Sequence, residues 1–129
     1  MEVGDFIIVK GEVAKIICYG VIDNRKVKSV TYGKESNIGI DDLVLKVSGF
    51  VKTNVSAVYR CTLKDDAGNV KCTVNFNLDK YICEISMTID MRPDYSQEIR
   101  VLSELQDFVR DKTGKELPIK IDELAAIFK

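Results

Sequence analysis

Cysteines are the residues of this chain best suited to chemistry, and three of the four are evenly spaced. Cys61, Cys72 and Cys83 stand eleven residues apart, and thiols brought together could form a redox pair or a zinc site. Each of the three, however, lies at an apolar position of an alternating run, which is typical of a half-buried strand. No pair has C-x-x-C spacing, and Cys18 is far away in sequence. We therefore interpret the three as small core residues, with a Cys61–Cys72 redox pair as the alternative.

Histidine is absent from the chain. Its absence excludes Ser–His and Cys–His nucleophile pairs, an imidazole base and His-containing zinc sites. The carboxylate pairs at 41–42, 65–66 and 122–123 fall at predicted turns or helix starts, where Asp caps backbone N–H groups. The chain also lacks a G-x-S-x-G elbow, a phosphate loop and a dinucleotide fingerprint. We expect a protein that is not an enzyme, with no catalytic residue, no metal and no cofactor.

Basic side chains cluster in one short stretch of a chain whose net charge is only −1. On a hairpin, such cations could contact phosphates while a tyrosine stacks on bases. The alternative is an exposed hairpin tip on which Lys keeps an edge strand from pairing with other chains. The candidate binding residues are Arg25, Lys26, Lys28, Tyr32 and Lys34.

Alternation of apolar and polar residues between 59 and 91 predicts a three-stranded antiparallel meander with one apolar side. A four-residue first loop would place Leu63 opposite Cys72, whereas a two-residue loop would place Cys61 opposite Cys72. A three-residue loop ending in a left-handed Gly68 suits the turn chemistry but needs a bulge to keep the apolar phase. A two-residue second loop places Phe76 opposite Cys83.

The N-terminal third also reads as short strands separated by turns. The succession of "VGD", two strands, "DNRK", a strand, "YGKE", a strand and "IDDL" resembles a small Src-homology-like or Tudor-like barrel over roughly residues 3–45. Proteins with such barrels are commonly binding modules, so the resemblance implies a small barrel that binds a partner.

The C-terminal part reads as helical. Asp94 followed by Gln97 has the capping-box spacing, and it predicts a helix over 95–112 that Gly114 ends. A second short helix is expected from about Asp122. An apolar stripe would pack the first helix on the meander, or would alternatively form a dimer interface. The stripe consists of Ile99, Leu102, Leu105, Phe108 and Val109.

These patterns together predict an α+β fold of mostly antiparallel sheet in one domain, 1–129. Its expected parts are a small-barrel-like region 1–46, a meander 47–91 and C-terminal helices 94–129 packed on the sheet. The start of the chain does not resemble a secretory signal, and no apolar run reaches membrane-spanning length, so we expect a cytoplasmic protein with reduced thiols and no membrane partner.

The function that we infer from the sequence is a small non-enzymatic interaction protein. It would be a regulator or inhibitor, carried by a phage or other mobile element, that docks on a protein partner through sheet edges and terminal helices. A homodimer through the C-terminal helices is a further hypothesis. The alternatives are a nucleic-acid-binding module using the hairpin 25–34, and a binder of a small nucleotide-like ligand in a pocket between barrel and meander.

Overall fold

The computed structural model describes residues 5–9, 12–18, 21–23, 35–36, 38–87 and 92–127. These residues form an α+β fold of antiparallel strands and three helices, as the sequence predicts. The strands are β1 (Phe6–Val9), β2 (Glu12–Cys18), β3 (Val21–Asp23), β4 (Glu35–Ser36), β5 (Val51–Lys52), β6 (Val58–Lys64), β7 (Val70–Asn77), β8 (Ile82–Ser86) and β9 (Tyr95–Glu98). The helices are α1 (Asp42–Val47), α2 (Leu102–Thr113) and α3 (Ile121–Ile127).

The larger sheet has the strand order β5-β6-β7-β8-β9, and its centre is the predicted meander. Among the alternatives for the first loop, the register that places Leu63 opposite Cys72 is observed, and the predicted pair of Phe76 with Cys83 is confirmed. The first loop combines two of the predicted alternatives. It contains a left-handed Gly68, with φ of 85°, and a register shift after Leu63 restores the apolar phase. Asp65 closes this loop by accepting hydrogen bonds from two backbone N–H groups.

One face of the larger sheet carries the core. The side chains of Val74, Phe76, Cys83 and Ile85 are completely buried in it, because alternate residues of each strand point to the same side. The helices cover this face, and Leu102, Leu105, Val109 and Leu124 belong to the same buried cluster. The apolar stripe of α2 thus packs in the core of the chain. A homodimer through the C-terminal helices stays a hypothesis.

The smaller sheet has the order β3-β2-β1-β4, and its strands do not close a barrel. The expected small barrel over 1–46 is therefore wrong for the described strands. β3 and β4 are very short and lie at opposite edges of an open sheet. The chain then leaves this sheet: the Ile40 N–H donates to the Arg100 carbonyl at 3.2 Å, and the Leu102 N–H donates to the Ile38 carbonyl at 2.8 Å. Segment 38–40 thus joins the two sheets.

The C-terminal helix begins later than predicted. Residues 95–98 form the strand β9, which pairs with β8, and α2 starts only at Leu102. Asp94 does not cap a helix. Its carboxylate accepts a hydrogen bond from the Met87 N–H at 2.6 Å, so it links the residue before β9 to the residue after β8. The predicted end is confirmed, because Gly114 has a left-handed φ of 72°. The short last helix is also confirmed as α3.

Two long-range contacts hold α2 against β1. The Phe6 N–H donates to Gln106 Oε1 at 2.7 Å, and the Arg110 guanidinium bonds the buried Asp5 carboxylate at 3.2 Å. Carboxylate neighbours raise the pKa of Arg110, above all Glu116. None of the helices within the described ranges is long and apolar enough to cross a bilayer.

Candidate docking site at the edge of the larger sheet

The three evenly spaced cysteines are buried and unbonded to one another. Cys61 lies opposite Val74 rather than opposite Cys72, so the two thiols are not a directly facing pair. Burial raises the pKa of Cys61 to about 11 and also raises that of Cys83. Because the thiolate is the reactive form, these groups are poor nucleophiles and metal ligands at neutral pH. Within the residues that the structure describes, no group of His, Cys, Asp and Glu is arranged to hold a metal ion.

The basic hairpin predicted from the sequence lies outside the described residues. This applies to each of its candidate binding residues, and the nucleic-acid hypothesis stays a prediction. The residues concerned are Arg25, Lys26, Lys28, Tyr32 and Lys34.

A surface concavity with a volume of about 610 Å³ lies beside β5. It contains the well-exposed Val51 and Val55 together with the cations Lys52 and Arg60. All of its lining residues fall between 49 and 62, so it is not the predicted pocket between the N-terminal strands and the meander. β5 itself is only two residues long, which limits the backbone that this edge offers to a partner.

β9 forms the opposite edge of the sheet, and all four of its residues are exposed. Ile99 donates its N–H to the Tyr81 carbonyl at 2.8 Å. Since hydrogen-bonded and non-bonded pairs alternate in an antiparallel ladder, Gln97 and Tyr95 also turn their backbone groups toward β8. Ser96 and Glu98 therefore turn their N–H and C=O groups to the open side.

Within the described ranges, the position next to the open side of β9 is occupied by another segment only further along the chain, beside residues 100–102. Segment 38–40 runs antiparallel to residues 100–102 on that same side, with Gly39 opposite Val101. At Asp41 the chain turns away to begin α1, with the Val44 N–H donating to the Asp41 carboxylate at 2.8 Å. In the part of the chain that the structure describes, no strand pairs with Ser96 and Glu98 beyond this point. We call the unpaired position beside the outward backbone groups of Ser96 and Glu98 the open lane.

α2 runs back alongside β9 and forms one wall of a groove there. The groove has a volume of about 280 Å³ and is lined by Gln97, Glu104, Asp107, Phe108, Asp111 and Lys112. The Lys112 ammonium lies 5.1 Å from the centre of the Tyr95 ring, so the end of α2 lies over the start of β9. Gln97 and Tyr95 are on the core face of the sheet, because they oppose Cys83 and Ile85. The groove therefore borders the open lane on the core side.

Three carboxylates give this groove its charge. Glu104, Asp107 and Asp111 follow one another at helical spacing and lie on one flank of α2. Asp107 bonds the Arg110 guanidinium at 3.1 Å, and Asp111 bonds the Lys112 ammonium at 3.3 Å. The side chain of Glu104 makes no hydrogen bond or ion pair among the described residues. An exposed strand edge beside an acidic groove can bind an extended chain by main-chain hydrogen bonds.

The sequence interpretation missed this site because it placed residues 95–98 in a helix. A weak signal was present: Tyr95 and Ile99 stand at the same phase of a two-residue period, with polar residues between them. No protein-family model, curated protein or solved structure matches the chain. The proposal of a function therefore rests on the geometry of the chain itself.

Proposed function

We propose that the protein is a small non-enzymatic interaction protein that docks on a protein partner by accepting an extended segment of that partner in the open lane beside β9. The observation that carries this proposal is the edge itself. The pairing of β9 with β8 leaves the backbone N–H and C=O groups of Ser96 and Glu98 directed outward, and this exposed strand lies next to a groove. Addition of a strand to such an edge is a recurring mode of peptide recognition.

The energies favour a partner segment that also contacts the groove. Two outward residues offer about four backbone hydrogen bonds, each contributing roughly 0.5–1.5 kcal/mol. Loss of translational and rotational freedom costs about 4–15 kcal/mol on association. Backbone pairing alone would therefore bind weakly, and side chains in the groove must supply much of the affinity. A protein that docks in this way would act by occupying its partner, as a regulator or inhibitor does.

The opposite edge is a poorer acceptor. In β5 the Thr53 N–H bonds the Val58 carbonyl at 2.9 Å, so alternation leaves only Lys52 of this strand with outward backbone groups. A very short strand is one of the ways in which proteins protect a sheet edge. The free thiols of Cys61, Cys72 and Cys83 support action in the cytoplasm, where cysteines stay reduced.

The test compares two substitutions at one residue. Ser96→Pro removes the outward N–H and blocks an incoming strand, while it leaves the bonds to β8 in place, since Pro is tolerated at the open side of an edge strand. Ser96→Ala removes the hydroxyl but keeps the N–H. Thermal unfolding of both variants should match that of the unsubstituted protein within a few degrees, which shows that the fold is retained.

Each of the three proteins is then used to capture partners from a cell lysate, with and without nuclease. We expect a protein that survives nuclease, is held by the unsubstituted chain and by Ser96→Ala, and is lost with Ser96→Pro. A partner held equally by Ser96→Pro would contradict docking at β9. Recovery of nucleic acid, with the proteins lost after nuclease, would favour the nucleic-acid-binding alternative instead.

A further inference from the structure

We infer that the segment accepted in the open lane is basic, with Lys or Arg at alternate positions that face α2. This inference rests on the proposed function and adds the chemistry of the partner. It is carried by the three carboxylates of the groove, Glu104, Asp107 and Asp111, and by the way in which an added strand would direct its side chains.

The direction of the side chains follows from the sheet. Alternate residues of a strand point to opposite faces, so every second residue of an added segment would point to the core face, as Gln97 does. On that face the neighbour of the open lane is the acidic flank of α2. Residues of the segment that point the other way would meet the outer face, where Glu98 and Arg100 bond each other at 2.9 Å.

The spacings of strand and helix are compatible. Residues two apart on a strand are about 6.7 Å apart. Along α2, the rise from Glu104 to Asp107 is about 4.5 Å and from Asp107 to Asp111 about 6 Å, at 1.5 Å per residue. Two or three basic side chains of a segment could therefore each come close to a carboxylate, since Lys and Arg have long and flexible stems.

Among the described residues, two of the three carboxylates have a cation beside them, and the third does not. Asp107 bonds the Arg110 guanidinium, and Asp111 bonds the Lys112 ammonium, which also lies over the Tyr95 ring. Glu104, which is exposed, makes no ion pair in the described part of the chain. The largely buried Phe108 provides an apolar surface in the groove, against which the methylene stems of Lys or Arg can pack. Acidic segments and nucleic acids would be repelled from this groove.

The experiment uses the full chain labelled with nitrogen-15 and follows its backbone amide signals by NMR. Three short synthetic peptides serve as probes. The first alternates lysine and threonine, the second has glutamate in place of each lysine, and the third is the lysine peptide with N-methyl groups on alternate residues, which removes the donors needed for pairing. We expect the lysine peptide to shift the amide signals of Ser96 and Glu98, and the other two to leave these signals in place.

Substitutions in the groove measure the charge contribution. Glu104→Gln and Asp111→Asn are each expected to weaken binding of the lysine peptide by about two- to fivefold, as exposed ion pairs do. Asp122→Asn on α3 removes an exposed carboxylate outside the groove, and it should change nothing. Added salt should weaken the binding as well.

The outcomes separate this inference from the proposed function. Equal binding of the glutamate peptide at Ser96 and Glu98 would overturn the basic partner while supporting strand addition at β9. A lysine peptide that shifts no signal in β9 would also overturn the basic partner. The capture experiment with Ser96→Pro would then still test the proposed function, because it does not depend on the peptide. An unchanged affinity in both Glu104→Gln and Asp111→Asn would contradict the role of the groove carboxylates.

Discussion

Replacement of Ser86 by alanine is expected to stabilise the protein. Ser86 lies on β8, opposite Thr73, and is 1% exposed. Its Oγ atom is buried and makes no hydrogen bond in the described part of the chain. A hydroxyl buried without a partner costs about 1–3 kcal/mol, because it loses its hydrogen bonds to water and gains none. Ser86→Ala should therefore raise the free energy of unfolding by about 1–3 kcal/mol.

A matched substitution at Ser48 should have the opposite effect. Ser48 is 0% exposed, and its Oγ donates to the Val44 carbonyl at 2.7 Å. The same carbonyl also accepts the Ser48 N–H at 3.1 Å, so it stays paired when the hydroxyl is removed. Ser48→Ala should therefore lower the free energy of unfolding by about 0.5–1.5 kcal/mol, the usual contribution of one hydrogen bond. Both variants lose the same atoms from a fully buried site.

Urea unfolding, followed by circular dichroism, measures both effects. With an unchanged slope against denaturant, the midpoint should move up for Ser86→Ala and down for Ser48→Ala. A change of 1 kcal/mol also corresponds to roughly 2–8 °C in the thermal midpoint. A lower midpoint for Ser86→Ala would refute the reasoning, because it would show that the Ser86 hydroxyl is bonded in solution.

Three further predictions test other parts of the fold. Gly49→Ala should lower the thermal midpoint more than Gly68→Ala does. Both glycines have a positive φ, which disfavours alanine. An added Cβ at Gly49 would also lie 2.5 Å from a proline side chain, whereas one at Gly68 would meet nothing within 4 Å. Arg110→Met should lower the free energy of unfolding in urea by about 3 kcal/mol, because it removes a cation bonded to the buried Asp5 carboxylate. Adding Asp5→Asn should recover part of this loss of stability. Equal stability of the single and the double variant would argue against a stabilising Asp5–Arg110 ion pair. The free energy of unfolding should fall as pH rises from about 9 toward 11, because the Cys61 thiol ionises in the unfolded chain while its raised pKa keeps it protonated in the fold. Cys61→Ala should make the slope of the free energy of unfolding against pH shallower by up to about 1.4 kcal/mol per pH unit. An identical slope in Cys61→Ala would contradict the assignment to this thiol.

The meander could be predicted from the sequence because its signals are local. Alternation determines which residues of each strand face the core and limits the first loop to a few registers, one of which gives the observed pair of Leu63 with Cys72. The two-residue second loop predicts the observed pair of Phe76 with Cys83. The burial of the cysteines follows from the same phase. These signals lie within about thirty residues of chain, where turn geometry limits the alternatives.

The errors lie where distant segments decide the structure. The capping-box spacing at Asp94 and Gln97 favours a helix locally, but pairing with β8 satisfies the same backbone groups in a strand. The expected barrel fails because segment 38–40 pairs with residues 100–102, about sixty positions away. The candidate site depends on both of these long-range pairings. A sheet edge exists only once the order of all strands is determined, so no local pattern could have located it.

The contacts between β1 and α2 have a consequence for the time course of folding. Phe6 bonds Gln106, one hundred positions away, and Asp5 bonds Arg110, one hundred and five positions away. During synthesis at about 5–20 residues per second, the N-terminal strands would wait about 5–20 seconds for these partners to be made. Over that interval the side chains of Phe6 and Ile7, buried in the finished fold, would be exposed to other unfinished chains. We therefore expect the yield of folded protein to depend on chaperones or low temperature more than its final stability would suggest.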